Sequence, residues 1–447
     1  MKKQNFYIVA LGCPKNLVDS EIISGCMAVS NWNITFDPEE ADVYIINTCA
    51  FLPEAREEAF NEIEIAREWR SAKAGRRIVV AGCIAGYKSK EVASKLSDID
   101  LIIGVDDIEI LAKKLANEPT PSVEKFTYLA TENTPRMQFT VPHIAYLKIA
   151  DGCNNCCSYC AIPKLRGSLR SRTLDSCVKE AAMLIANGVK ELVIIAQDIT
   201  VFGHDRKGSG ENLAKLLQAI EKIPGDFGIR LLYTHPAHYT DELIDTIANS
   251  KKIIPYLDMP LQHISDRILS DMNRHIDTKG IKTLLEKLRN KIPNLSIRTT
   301  FITGLPGETE EEFNELLEFT KKFKFERLGV FSYAPEPGTK AAKMANQVPL
   351  EIANNRAKII MDKQVARMKR RNKNLIGSVE KVIIDSINED GIAFARNQWD
   401  APDIDNVILI PEPGSSKPGL YKTVEIIDTY GCNLVGKLVP NCRRKEK

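Results

Sequence analysis

No apolar run in the 447 residues approaches the ~20 needed to cross a bilayer. The apolar part of the opening MKKQNFYIVALGCPKN is too short for a secretory signal, so the expected compartment is the cytoplasm, with no membrane partner. A dominant charge is missing too: 61 Lys and Arg face 59 Asp and Glu, a net +2 that gives no whole-protein pull toward nucleic acid or acidic lipid. Repeats and low-complexity tracts are absent, and at 44% hydrophobic and 27% charged residues the composition excludes disorder, collagen and coiled coil. There is no P-loop and no Ser-His-Asp pattern. Among only six histidines, His235 and His238 lack a carboxylate at ligand spacing, and His263 in LQHIS reads either as pocket lining or, more commonly for a lone histidine, as a packed or exposed residue. Cysteine is what the chain does have. Eleven is odd for a disulfide framework, and a chain this long needs no staples, so metal or redox chemistry is the better expectation.

Three short apolar runs, FYIVAL, VYIINTC and RIVVAGC, alternate with helical segments such as 53–73. That rhythm predicts an α/β layer with parallel strands over residues 1–120. Cys49 and Cys83 end their strands and Cys13 follows the first, which puts all three at the edge where α/β sheets hold ligands. Pro119, Pro121, Pro135 and Pro142 punctuate polar sequence, and 121–142 reads as a linker. From 143 to 375 six strand signals (IAYLKI, ELVIIA, IRLLY, IPYLDM, IRTTFI, RLGVFSY) predict a partial (β/α) barrel, too short to close as eight units. A polar helix over 350–374 follows. Five short strand signals within 376–442 then predict a small antiparallel β-barrel.

The strongest local signal is DGCNNCCSYCAIP, in which Cys153, Cys157 and Cys160 have C-x3-C-x2-C spacing. Three thiolates from one tight loop can hold three irons of a [4Fe-4S] cube, leaving the fourth iron open for the amino and carboxylate groups of S-adenosyl-L-methionine (SAM). A structural zinc site is the plainer alternative, but it requires four ligands in paired knuckles, and no partner C-x2-C pair occurs elsewhere in the chain. Cys153, Cys156 and Cys160 form a second possible register. The loop, at the end of the first strand of a partial barrel, resembles the radical SAM superfamily. That resemblance implies that Tyr159 packs near the adenine, that Gln197 and Asp198 face the pocket from a strand end, that Gly304 in FITGLPGE lets the adenosine approach, and that Arg298 reaches the SAM carboxylate. For these last four a turn or cap role competes with ligand contact.

LGCPKNLVDSE, INTCAFLPEAREEA and VVAGC are similar to the three cysteine segments of the methylthiotransferase family. Together with the RGSLRSR stretch and a carboxyl-terminal module resembling the TRAM domain, the similarity spans nearly the whole chain. It implies a second, auxiliary [4Fe-4S] cluster on Cys13, Cys49 and Cys83, an electron donor protein, a radical formed from SAM that removes a hydrogen atom, and sulfur delivered from the auxiliary cluster. GCPKN, YLDMPLQHISDRIL and DAPDIDN resemble the branch of the family that methylthiolates the β-carbon of an aspartate in small-subunit ribosomal protein twelve. The alternative is the branch that modifies adenosine in transfer RNA. Asn406 and Cys432 depart from the usual barrel wording. From Ile376 to Cys442 five basic residues face ten acidic ones, which suits a basic protein partner better than RNA. The basic run from Arg356 to Lys373 reads either as a solvated helix or as a contact for ribosomal RNA. Asp400, Asp403 and Asp405 are expected to face the partner.

Overall fold

β-Branched runs that end in Thr-Cys and Gly-Cys build the two central strands, buried on both faces, beside a half-buried first strand ahead of Cys13, and this fixes where the cysteines emerge. The computed structural model describes residues 3–87, 89–120 and 126–439. Its first layer is a five-stranded parallel sheet in the order Asn33–Ile34, Asn5–Ala10, Val43–Thr48, Arg77–Gly82, Leu101–Ile103. All six residues of Val43–Thr48 are buried. Helix Pro14–Val29 joins the core cluster shared with the second domain, and helix Pro53–Ser71 covers the other side.

Of the expected linker, 121–125 lie outside the described residues. Within 126–142 the chain has no helix or strand but is tied to both domains: Arg136 bonds Glu21 (Nε, 2.7 Å) and Glu180 (Nη1, 2.7 Å).

All six strand signals of the central region form one parallel sheet: Ile144–Lys148, Glu191–Ile195, Gly228–Leu231, Ile253–Asp258, Ser296–Thr303 and Arg327–Ser332, adjacent in chain order. The expected helix appears as Leu350–Asn374, and Thr309 forms a capping box with Glu312. Sequence periodicity gave no sign of a two-residue antiparallel pair, Ala150–Asp151 with Arg170–Ser171, which clamps the base of the cysteine loop. Such short segments carry no period to detect.

The carboxyl-terminal strands Val379–Ile387, Ala393–Arg396, Ile408–Ile410, Tyr421–Tyr430 and Asn433–Leu438 close into a barrel around Val382, Ile384, Val424 and Ile426. One pair, Ile408–Ile410 with Asn433–Leu438, is parallel and the others are antiparallel. The two unusual positions meet here: the Asn406 side-chain amide and that of Asn372 both donate to the Cys432 carbonyl. The barrel docks on the amino-terminal edge of the six-stranded sheet. Arg396 bonds Glu191 (Nη2, 3.2 Å), Arg327 bonds Asp400 (Nε, 2.7 Å), and His143 meets Asp385 at 3.1 Å. The cysteine loops leave from the opposite edge.

Candidate functional site

The loop carrying Cys153, Cys157 and Cys160 is held from four directions. The Cys153 N–H donates to the Gly167 carbonyl (3.1 Å), and the Asn155 side chain donates to Asp198 Oδ2 (2.7 Å). Asn273 donates to the carbonyls of Asn155 (3.3 Å) and Cys156 (3.0 Å), and the Ser158 N–H donates to the Met272 carbonyl (3.0 Å). Burial raises the Cys153 thiol to about 11 and the Cys160 thiol to about 12, so a metal held here displaces protons as it binds. Each of these two also senses the charge of Cys157, whose Sγ accepts from Arg274 Nη1 at 3.6 Å. Cys156 is exposed and has φ +52°.

The other sequence-derived positions, except Arg298 near the start of Ser296–Thr303, fall at the same edge but differ in what they do. Tyr159 is half-buried against Ile302, Leu305 and Tyr333. Gln197 donates to Asp151 Oδ1 (2.8 Å), while its own Oε1 is buried without a partner. Asp198 is spent on the fold: Oδ1 accepts from the Thr200 N–H (2.9 Å) and Oδ2 from Asn155. Arg298 bonds Asp258 (Nη1, 2.8 Å) and lies 3.5 Å from Asp405, so two carboxylates already engage it. Gly304 (φ +79°) is required by the long helix: a Cβ there meets the Ala353 Cβ at 2.3 Å.

Two histidine expectations fare differently. His263 is fully buried, with Nδ1 accepting from the Ser265 N–H at 3.0 Å and Nε2 without a partner among the described residues. For the other pair the structure supplies the carboxylate that spacing did not: ligand atoms of Asp198, His235 and His238 lie within 4.8 Å of one another. His235 Nδ1 accepts from the Ala237 N–H, which leaves the proton on Nε2 and makes that nitrogen a donor, while His238 Nε2 bonds Asn155 Oδ1 at 2.8 Å. Asp198 and His238 thus brace the cysteine loop through Asn155.

In the first domain, Cys13, Cys49 and Cys83 converge at one sheet edge. Gly12 (φ +89°) permits it, since a Cβ there falls 2.4 Å from the Cys49 Cβ. Burial pushes the Cys13 thiol up, but Lys15, Arg166 and the N–H groups of Asn16 and Lys15 outweigh it, and the net shift is below the ordinary thiol value. Burial holds Cys83 at about 11, and Cys49 also lies high, from burial and the nearby Cys13. The Cys83–Gly86 turn packs on helix Ile162–Arg166, which begins two residues after Cys160; Gly86 lies against the backbone of Leu165. The two cysteine triplets therefore border a common interface. Tyr233 lies across it, with Lys15 Nζ 3.3 Å from its ring centroid.

The residues present suit the expected cofactors. Each triplet is a soft, three-thiol donor set. Around the loop of Cys153, buried polar atoms of Ser158, Gln197, His235, Tyr239, Gln262 and Tyr333 have no hydrogen-bond partner, as the lining of a polar ligand's pocket would. Sequence reasoning missed Asn16, Asp151 and Arg166, which link the triplets. The wording GCPKN and RGSLRSR contained two of them, but only the fold brings them together.

An open six-stranded α/β sheet with a C-x3-C-x2-C loop at its carboxyl edge defines a radical SAM protein, whose class uses a [4Fe-4S] cluster and SAM. The radical SAM superfamily matches residues 147–320, the TRAM domain matches 376–439, and the uncharacterized protein family UPF0004 matches 5–104. The radical SAM methyltransferase TsrM from Kitasatospora setae shares the fold at TM-score 0.59 and 14% identity, over 76% of this chain and 77% of its own. The cobalamin-dependent radical enzyme OxsB does so at TM-score 0.51 and 12% identity, over 81% of this chain and 56% of its own. The ribosomal protein uS12 methylthiotransferase RimO of Akkermansia muciniphila is 41% identical over 96% of this chain and 99% of its own. Its namesakes from Geotalea uraniireducens and Geobacter sulfurreducens are each 40% identical over 98% of this chain and 99% of theirs. The chain belongs to the RimO family of radical SAM methylthiotransferases.

Proposed function

We propose that this enzyme methylthiolates the β-carbon of an aspartate in ribosomal protein uS12, on the ribosome in the cytoplasm, with electrons from a donor protein. In this reading Cys153, Cys157 and Cys160 hold the cluster that binds SAM, and Cys13, Cys49 and Cys83 hold an auxiliary [4Fe-4S] cluster. When bound, SAM supplies hydrogen-atom abstraction and a methyl group, and the auxiliary cluster supplies sulfur, chemistry that side chains cannot provide.

The chain's own residues bind, orient and exclude water. Tyr159 offers a ring face to the adenine, and Gln197 Oε1 is a free acceptor for the SAM amino group. Asp198 acts through Asn155 to fix the loop, and Gly304 acts by seating the turn that carries Leu305 against the long helix. Arg298 is taken up by Asp258 and Asp405, so it can reach a carboxylate of SAM or of the target aspartate only if one of these pairs opens. Tyr233 and Lys15 shield the interface between the triplets from water, as abstraction from an unactivated carbon requires. Exposed Lys363, Lys369, Arg370 and Lys373 on the long helix suit contact with ribosomal RNA.

What supports this reading above all is the packing of the Cys83–Gly86 turn on the helix that follows Cys160, in a chain that aligns end to end with uS12 methylthiotransferases. The test is mass spectrometry of uS12 and of transfer RNA from a host lacking the gene and from the complemented host. The expected result is one methylthio group on uS12 only when the gene is present, with transfer RNA unchanged. A gene-dependent methylthio group on transfer RNA, with uS12 unmodified, would replace this reading with the other branch of the family.

A further inference from the structure

Asn16 is fully buried and touches every one of the first three cysteine loops. Its side-chain amide donates to the carbonyl of Leu11 (3.1 Å), two residues before Cys13, and to that of Thr48 (2.6 Å), next to Cys49. Its Oδ1 lies 3.8 Å from Cys83 Sγ. The same oxygen accepts from Arg166 Nη2 at 2.5 Å, and Arg166 belongs to the helix that follows the other triplet. Arg166 also bonds Asp19 (2.9 Å) and, through Nη1, Asp151 (3.0 Å). Asp151 stands two residues before Cys153 and accepts from the Gly152 N–H (2.9 Å) and from Gln197 (2.8 Å). Lys148, which bonds Asp19 and Asp151, completes a buried set of two cations and two carboxylates. An unbroken path of side chains thus runs from all three amino-terminal cysteine loops to the base of the second loop. Buried networks of this kind hold one geometry, because breaking any member leaves a charge or amide unpaired.

We propose that Asn16 and Arg166 are positioning residues that hold the two cysteine triplets at one fixed separation, so that sulfur from one site meets the carbon activated at the other. This rests on the reading that both triplets hold clusters. Neither residue ligates metal in this scheme, so their loss is expected to shift the two triplets relative to one another, loosening the first triplet that both touch, while SAM cleavage at the second continues.

The test uses the full chain, reconstituted anaerobically, as Arg166→Gln, Arg166→Lys and Asn16→Ala. Iron per chain, 5′-deoxyadenosine formation, methylthio transfer, and the electron paramagnetic resonance of the two reduced clusters are measured. The expected result is about eight irons per chain, two cubes' worth, with SAM cleavage close to that of the parent and an altered magnetic interaction between the clusters. Methylthio transfer falls about 10- to 100-fold, the range seen when partners of metal ligands are removed. Arg166→Lys, which keeps the charge and folds most readily, recovers part of the transfer. Unchanged transfer and spectra would overturn the proposal. So would iron, SAM cleavage and transfer all falling in proportion, since that marks a residue needed only for folding. Cys49→Ala separates the underlying reading: its iron is expected to fall to about four, one cube, and retention of eight would mean that the amino-terminal triplet holds no cluster.

Discussion

The two edges of the six-stranded sheet are built from similar residues and finished in opposite ways. At the amino edge the strand starts are paired to the barrel. His143 meets Asp385, Glu191 lies between Arg230 (2.5 Å) and Arg396 (3.2 Å), and Arg327 holds Asp400. At the carboxyl edge, polar atoms of Gln197, His235, Tyr239, Gln262 and Tyr333 are buried without partners. Such atoms gather at this edge as the lining of a polar ligand's pocket would, while at the amino edge the charged groups named above are paired, although Asn397 Nδ2 and Ser416 Oγ in the barrel have no partner.

The sharpest test of this contrast lies within one loop. Cys157→Ala should reduce SAM cleavage to background, whereas Cys156→Ala should keep most of it, because Cys156 is exposed while Cys157 faces Arg274 and Tyr159. Deoxyadenosine formation under dithionite decides the matter, and the reverse ranking would move the site to the alternative register.

At the amino edge the expected loss is of stability and leaves cleavage in place. Arg396→Ala takes one of two partners from Glu191, which keeps Arg230, and from Asp385, which keeps His143, so the expected cost lies below the about 3–5 kcal/mol of a buried charge left alone. The melting temperature should fall and hydrogen exchange should rise along Glu191–Ile195 and Ala393–Arg396, with SAM cleavage per folded molecule unchanged. Loss of cleavage in protein that remains folded would show that the two edges are coupled.

Acid should expose the same pairs more gently. Burial alone would raise the Glu191 carboxyl, but Arg230 and Arg396 outweigh it and hold it at about 2, below the ordinary 4.5. A depressed value stabilises the fold fully above the unfolded value and is lost as pH falls through the folded one, so this contribution fades from about pH 4.5 to about pH 2. Glu191→Gln should flatten that limb of the stability curve, as measured by urea unfolding at each pH. An unchanged limb would assign acid sensitivity to other carboxylates.

Much of this was legible in the residue order. Strand signals, the long helix and the Thr309 cap rest on local periodicity and capping, and they appear where expected. Both cysteine triplets could be read because thiols spaced in one tight loop, or placed at the ends of parallel strands, converge by topology. The ties between elements were hidden. Asn16 and Arg166 are 150 residues apart, Asp198 reaches the His235–His238 pair only through the fold, and Gly304 reads as a ligand turn until Ala353 is placed against it. A one-dimensional pattern carries no information about such distant pairings.

The barrel shows the same limit most plainly, and it yields the mildest expected effect. Asp400 and Asp405 are not at the partner surface, as their charge suggested. Asp400 is buried on Arg327, and Asp405 accepts from the Tyr256 hydroxyl (2.6 Å). Reversing them would unseat the barrel and reveal nothing about recognition. The acidic residues that do reach solvent, Glu389, Asp390, Asp403, Glu412, Glu425 and Asp428, still outnumber Lys381, Lys417 and Lys437, so the outer face remains negative. Exposed charges act through a screened field whose range is about 10 Å at 0.1 M salt. Glu425→Lys combined with Asp428→Lys should therefore weaken binding of a basic ribosomal protein several-fold at low salt and hardly at all at high salt, with melting temperature and SAM cleavage unchanged. Binding that is insensitive to both the reversal and the salt would assign recognition to another face. A loss of melting temperature would mean that these two residues, like Asp400, belong to the scaffold.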